Sequence, residues 1–473
     1  MAYREGNRNQ IMMFPPSIEE MIEETDSVRI YDEFVEQLDI ESIGLKLNNK
    51  KEGNPEYHPK AMLKVLLYGY SYGIRSSRRI ERALHHNITF MWLSGGLKPD
   101  HKTISLFRKR NRSALKEMFR KCVELCIKLN VVEGNTLYVD GSKVRANAGM
   151  KNSFTKVQAK ERMAQLDRRI SRMLKECDLA DKQEEDQGSW IKLQESLSTA
   201  KKRRAAIAEA LDGMADKDEI VSSNLTDPEC RIMAGRQGSH ASYNVQIVTD
   251  DQHGLIVGSD VVSDGNDNRQ LKNQLEKASD LLGKNPEVIV ADKGYSNRKD
   301  FDELTDAKIG VVVPPIQYAC TRAQSTTFPS SAFNYHEQND TYQCPSGHFL
   351  HPISSKKIVK TYRITNAKLC QNCPHFGICT TSRRGRYISR HENESVFEKI
   401  RAFYYSEKGQ AIYRFRGQKI EHVFGHFKKN LGVSSFLLRG RESAIAELAI
   451  LSTCFNLRRL ATILGPRFLF KAT

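Results

Sequence analysis

The sequence predicts an α/β protein built on a mixed sheet, and three observations predict it. Five short apolar runs read as buried strands: TLYVDGS (136–142), YNVQIVTD (243–250), GLIVGSDVV (254–262), EVIVADKGY (287–295) and IGVVVP (309–314). A helix-like LKNQLEKASDLLG (271–283) precedes the fourth run, and a helix-sized gap separates the fourth from the fifth. This order of strands and helices fits neither a sandwich nor an all-helical array. Finally, the stretch before the first strand carries helical patterns instead of strand patterns.

That stretch opens with HPKAMLKVLLYGYSYGI (58–74) and RSSRRIERALHHN (75–87), two short helices for which Ser76 or Ser77 is a suitable cap. After the turn-like SGGLKPD (94–100), Asp100 caps a long helix reaching about Leu129, with Ile104, Phe107, Leu115, Met118 and Val123 as its inward stripe. Arg108, Lys109, Arg110 and Arg112 cluster near its start. Basic helices joined by short turns suit a reader of the DNA major groove, and suit a plain helical bundle equally.

Between the first two strands, Met163, Leu166, Ile170, Met173 and then Trp190, Leu193, Leu197, Ala200, Ile207, Leu211 recur mostly three and four apart. Two antiparallel helices broken near Asp186–Ser189 fit this spacing, either as a dimerisation arm or as an insertion packing on its own sheet. RESAIAELAILSTCFNLRRLATIL (441–464) reads as a closing core helix.

Length and charge narrow the class. At about 100–200 residues per domain, 473 residues predict two to four domains. No run approaches the roughly 20 apolar residues that span a bilayer, so a membrane protein is not expected. The opening MAYREGNRNQ lacks the apolar core of a secretory signal, and ten cysteines are too sparse for a disulfide scaffold, so the cytoplasm is the expected compartment. The net charge of +16 lies entirely in residues 351–473, which hold 23 Lys and Arg against 7 Asp and Glu. Residues 58–121 form a second basic block, with 15 Lys and Arg and only Glu81, Asp100 and Glu117 as acids. Separate basic blocks favour a polyanion, with nucleic acid the leading partner class.

Three carboxylates carry the chemistry. Asp140 in LYVDGS and Asp292 in VIVADKG stand where strands give way to turns, and strand-end aspartates suit Mg²⁺, which takes oxygen ligands. Glu421 is the third candidate, the sole acid between Glu407 and Glu442, among Arg414, Arg416, Lys419, Lys428 and Lys429. It sits in AIYRFRGQKIEHVFGHFKKN (411–430), which has a helical apolar stripe. Separately, Cys344, Cys370, Cys373 and Cys379 fall within 36 residues with a Cys-x2-Cys step, a zinc-ligand spacing, and His348 and His375 are alternative ligands.

These pieces, in this order, resemble bacterial insertion-sequence transposases of the DDE class. The resemblance is carried by the basic stretch 73–110, YVDGSKVRANAG (138–149), TDPECRIM (226–233), YNVQ (243–246), VIVADKGYSN (288–297) and the Glu421 segment. It implies an RNase H-like mixed-sheet core over 131–315 and 401–473, interrupted by a helical hairpin (151–215) and by a Cys-rich insertion (316–400), behind an all-helical DNA-binding domain (1–130). It implies Asp140, Asp292 and Glu421 around two Mg²⁺ or Mn²⁺ ions about 3.5–4 Å apart, and in-line phosphoryl transfer that cleaves the element's end and joins it to target DNA. The family's Tyr-Arg-Glu-Lys pattern maps onto Tyr413, Arg416, Glu421 and Lys428. It places three residues between its Arg and Glu where this chain has four, Gly417 to Ile420, which keeps Arg414 and Lys419 as alternatives for the arginine's role. The expected DNA contacts are Tyr413, Arg416, Lys419, Lys428, Arg75, Arg78, Arg79, Arg108, Lys109 and Arg110, with the tract SRRGRYISR (382–390) as a further one. The implied partners are double-stranded DNA, as terminal inverted repeats and as target, and a second copy of the chain, close to the nucleoid. A decayed DNA-binding relative, or a nuclease that cuts without joining, would share much of this pattern.

Overall fold

The computed structural model describes residues 17–47, 56–183, 187–214, 221–235, 238–315, 328, 332–356, 359–391 and 394–465. The opening ten residues, Cys320, and residues 184–186 at the expected break in the helical hairpin lie outside them. The chain divides into two compact units, Met1–Ile289 with Phe415–Thr473, and Val290–Arg414.

The first unit begins with helices. These are α1 (Val28–Gln37), α2 (Pro59–Ser71), α3 (Ser77–His86), α4 (Ile88–Ser94), α5 (His101–Arg110) and α6 (Arg112–Lys128). Pro59 at the first position of α2 suits a site whose N–H has no helical partner. Asp100 caps α5 by accepting from the Thr103 N–H at 2.7 Å, as the sequence suggests. The single long helix expected up to Leu129 is instead broken at Asn111, whose Nδ2 donates to the Phe107 carbonyl at 3.0 Å. An asparagine side chain that bonds the carbonyl four residues back competes with the helix's own hydrogen bonds and favours leaving it. The break lets α5 pack on α3 while α6 packs along the helix Arg441–Leu464.

The core strands follow. β1 (Thr136–Arg145) pairs antiparallel with β5 (Gly238–Asp250), in a register running from Leu137 opposite Asp250 to Arg145 opposite Ser242. Between them, the ribbon β2 (Ser153–Thr155) and β3 (Ser222–Asn224) carries α7 (Lys156–Gln183) and α8 (Gln187–Asp212). Phe154, Ala159, Ile207 and Met214 form a small core where hairpin and ribbon meet. β4 (Arg231–Gly235) and β6 (Ile256–Val262) lie in tandem along the edge of β5 away from β1. α9 (Leu271–Leu282) covers β5 and β6, and β7 (Val288–Val290) adds to the far side of β1. A meander of three antiparallel strands followed by a helix and a further strand is the α/β order that the sequence suggests, and it is consistent with an RNase H-like core.

The second unit continues past β7, where the Ala291 N–H donates to the Val312 carbonyl at 3.2 Å. It contains α10 (Arg298–Asp306) and β8 (Gly310–Val312). A five-stranded antiparallel sheet of β9 (Asn334–His336), β10 (Thr341–Gln343), β11 (Phe349–Lys356), β12 (Val359–Ile364) and β13 (Tyr387–His391) is ordered β13-β12-β11-β10-β9, with α11 (Ala367–Gln371) between its last two strands. Its core is Phe333, Tyr342, Leu350, Tyr362, Ile364 and Ile388. α12 (Glu394–Tyr405) packs on α10, where Arg298 lies over the Phe397 ring at 4.1 Å and pairs with Glu394 at 3.0 Å. α13 (Glu407–Arg414) ends the unit.

Back in the first unit, a π-helical turn (Gly417–Glu421), the short α14 (His422–Gly425) and a second π-helical turn (His426–Asn430) lead to α15 (Arg441–Leu464). α15 is buried over most of its length against α2, α6 and β6. The basic N-terminal helices and the sheet therefore share one interior. No described helix is long and apolar enough to cross a membrane.

Candidate active site

Asp140, expected where the first strand gives way to a turn, lies instead inside β1, whose pairing with β5 runs on through Gly141 to Arg145. Residues alternate between the faces of a strand, so Tyr138, Asp140, Ser142 and Val144 share one face. The segment holding both π-helical turns lies on that face. Phe424 and Phe427 meet Val144 and Val245 in an apolar pocket, and the Thr249 hydroxyl donates to the Lys419 carbonyl at 3.1 Å. This seating brings Asp140 and Glu421 to one guanidinium. Arg416 Nη2 lies 3.1 Å from Asp140 Oδ2, and Arg416 Nη1 lies 2.9 Å from Glu421 Oε1. Arg416 and Asp140 are largely enclosed, at 13% and 15% side-chain exposure, whereas Glu421 is open at 59%.

The extra residue between Arg416 and Glu421 is absorbed by the π-helical turn. In an α-helix, residues four apart share a face; the wider π turn brings residues five apart together, and such turns recur at functional sites. Of the three candidates for the arginine's role, Arg416 therefore meets the acid. Lys419 is engaged elsewhere, with the Asp251 carbonyl and, at 3.7 Å, its carboxylate. Arg414 ends α13 in the second unit. Lys428 donates to the Ser142 hydroxyl, two residues from Asp140 on the same strand face.

The sheet's other face holds β1 through residues that sequence reasoning missed. A Cβ on Gly141 would fall 2.4 Å from Asp267 Oδ1 and 2.6 Å from Gln246 Nε2, so glycine leaves the room these groups take. Asp267 Oδ1 accepts from Asn244 Nδ2 at 2.8 Å and from Gln246 Nε2 at 2.7 Å. The signal was present in YNVQ, where two polar residues alternate within a buried strand. His422 and His426 pack on Phe455 at 5.6 and 5.7 Å. Burial, followed by Arg459 for His422 and Arg458 for His426, holds both imidazoles below their ordinary value.

Asp292 belongs to the second unit. It caps the short turn Lys293–Tyr295, its Oδ1 accepting from the Gly294 N–H at 2.7 Å. Among the described residues, no group of three or more His, Cys, Asp or Glu is set to hold a metal ion. What the first unit assembles is a pair of carboxylates.

Two families match the chain. Residues 16–110 match a transposase domain, DUF772, and residues 343–461 match a transposase DDE domain, a span that includes Arg416, Glu421 and Lys428. Together the two matches support an insertion-sequence transposase of the DDE class. No curated protein matches it. As a transposase it has DNA as its partner class.

Two of the expected DNA contacts of this transposase are buried in the structure. Arg75 is buried, with Nη1 3.0 Å from Glu447 Oε1 and 3.1 Å from the Ser435 carbonyl, and Nη2 3.0 Å from the Gly432 carbonyl. Arg108 is buried as well, donating to the Tyr70 hydroxyl at 2.8 Å and the Arg75 carbonyl at 2.9 Å. Both tie helices together. Arg78 and Arg79 on α3, and Lys109 and Arg110 on α5, are exposed. Tyr413, in α13, packs edge-on against Tyr404 at 5.2 Å.

In the second unit, Cys344, Cys370, Cys373 and Cys379 are free thiols that line one pocket with His348 and His375. The His348 N–H lies 3.3 Å from Cys344 Sγ, and the Ser346 hydroxyl 3.3 Å from Cys373 Sγ. Burial pushes the Cys379 thiol up, Arg386 opposes this, and Cys370, Cys344 and Cys373 add to the rise.

Proposed function

We propose that this transposase binds the terminal inverted repeats of its own element, and cuts and joins DNA by in-line phosphoryl transfer at Asp140, Asp292 and Glu421. The observation that carries the reading is the meeting of Asp140 and Glu421, distant in sequence, at Arg416. Their oxygens are the donor chemistry that Mg²⁺ or Mn²⁺ takes. Two such ions, when bound, would supply positive charge to the attacking and leaving oxygens of the phosphate. Asp292 stands as the third carboxylate on its motif, VIVADKG at a strand end.

The remaining roles belong to the chain. Lys428 places a cation on the face of β1 that carries Asp140, where a scissile phosphate would be gripped. Lys419 and Arg416 add charge along the same helical segment, and Tyr413 precedes them. Arg78, Arg79, Lys109 and Arg110 offer phosphate contacts independent of sequence. A structural Zn²⁺ on Cys344, Cys370, Cys373 and Cys379 is supported by their lining one pocket. The pairing of two DNA ends calls for a homodimer or a larger assembly, working at the nucleoid in the cytoplasm.

The test is to incubate purified protein with the DNA ends flanking its own coding sequence, with and without Mg²⁺. Nicked and joined products are expected from the wild type and neither from Asp292→Ala, while DNA binding stays unchanged. Cleavage by the variant would overturn the site assignment, and cleavage without joining in the wild type would make the protein a nuclease.

A further inference from the structure

The carboxylates assembled in the first unit already share a cation, and it belongs to the chain. Arg416 reaches Asp140 Oδ2 at 3.1 Å and Glu421 Oε1 at 2.9 Å through different terminal nitrogens. A guanidinium is charged at every accessible pH, and its fork of donors bridges two oxygens. Those oxygens are the ones that a hard divalent ion would take. Two cations at contact distance repel, most strongly where water is excluded, so the ion pairs of Arg416 and metal ligation by these oxygens are alternatives. The residues on either side, Phe415 and Gly417, are exposed, so a guanidinium leaving the pair has solvent to move into.

We propose that Arg416 is a positioning residue that keeps the cation's place between Asp140 and Glu421 in the metal-free protein. It yields that place when the acids take up metal, and only then is its guanidinium released to a DNA phosphate. The inference rests on the carboxylate assignment above. It makes metal and DNA cooperative: a phosphate that draws Arg416 away frees the acids, and by linkage the effect is reciprocal.

Mn²⁺ binding by the full-length protein, followed by calorimetry, tests this without reference to activity. In the absence of DNA, Arg416→Gln should bind Mn²⁺ about tenfold more tightly than the wild type, with Arg416→Lys between them. A short DNA duplex should raise Mn²⁺ affinity in the wild type and not in Arg416→Gln. Without metal the glutamine variant should melt lower than the wild type, because two carboxylates then face each other unneutralised, and saturating Mn²⁺ should close the gap. Weaker or unchanged Mn²⁺ binding in Arg416→Gln, or a melting gap that persists at saturation, would make Arg416 a structural tie and overturn the proposal. Asp140→Asn separates the two readings. If it leaves Mn²⁺ affinity unaltered, the carboxylate assignment itself fails, and the Arg416 proposal with it.

Discussion

Arg75 and Arg79 are four residues apart in one basic run, yet the structure gives them opposite environments. Arg75 is enclosed with Glu447, at 8% and 0% side-chain exposure, whereas Arg79 stands on the open face of α3. Composition cannot separate them, because what decides is the acid that α15 brings from the far end of the chain. Removing one partner of a buried pair leaves a charge uncompensated, so Arg75→Ala should lower unfolding stability by about 3–5 kcal/mol. DNA affinity in Arg75→Ala should keep the wild-type salt dependence. Arg79→Ala should do the reverse, shifting stability by about 0.5 kcal/mol or less while reducing the salt slope by about one. Denaturant unfolding and DNA titration at several salt concentrations measure both. A flattened salt slope in Arg75→Ala would return that residue to the DNA interface. Asn244 and Gln246 teach the same lesson, since their purpose appears only when Asp267 is seen beside Gly141.

At the scale of elements, the Glu421 segment was legible as helical from its apolar stripe, but not as π-helical. Its one-residue excess over the family pattern left the arginine's identity open between Arg414, Arg416 and Lys419. The turn Gly417–Glu421 widens to place Arg416 and Glu421, five residues apart, on one face. Deleting exposed Gln418 should convert this turn to an α-helical one with three residues between Arg and Glu, while the flanking helix keeps its phase. The deletion should preserve the Arg416–Glu421 contact and raise the melting temperature by a few degrees, as α-helical hydrogen bonds replace those of the wider turn. A large drop in melting temperature would show that the added residue is needed for another contact. The break at Asn111 is a further case in which the apolar stripe continued and the helix did not. A stripe reports burial, and both α5 and α6 bury it, each against a different partner.

At the scale of the molecule, the Cys-rich stretch carries none of the strand-like runs read from the sequence. It is instead a five-stranded sheet with its own cluster of Tyr, Phe, Leu and Ile side chains. The strands are short and several begin or end in polar residues, so period-two patterning is weak there. Cys344, Cys370 and Cys379 pack against that cluster, and a metal at the thiols would add to a core that already exists. Metal analysis of purified protein should return about one zinc per chain, with Cys373→Ser losing the metal and the protease resistance of residues 340–380 while the first unit stays folded. Fully folded, metal-free wild-type protein would remove zinc from the account.

The order of five core strands, the helical hairpin, the closing helix and the residue types of the candidate site are legible in the chain before it folds, whereas β4 (Arg231–Gly235) is not. These are local properties: apolar runs, spacing along a helix, and the carboxylates that accompany them are written in consecutive residues. Packing settles which arginine meets Asp140 and Glu421, which basic residues tie helices together, and what Gly141 makes room for. Each of those outcomes depends on groups brought together from distant parts of the chain by packing, and charge or polarity in the sequence carries no address for its partner.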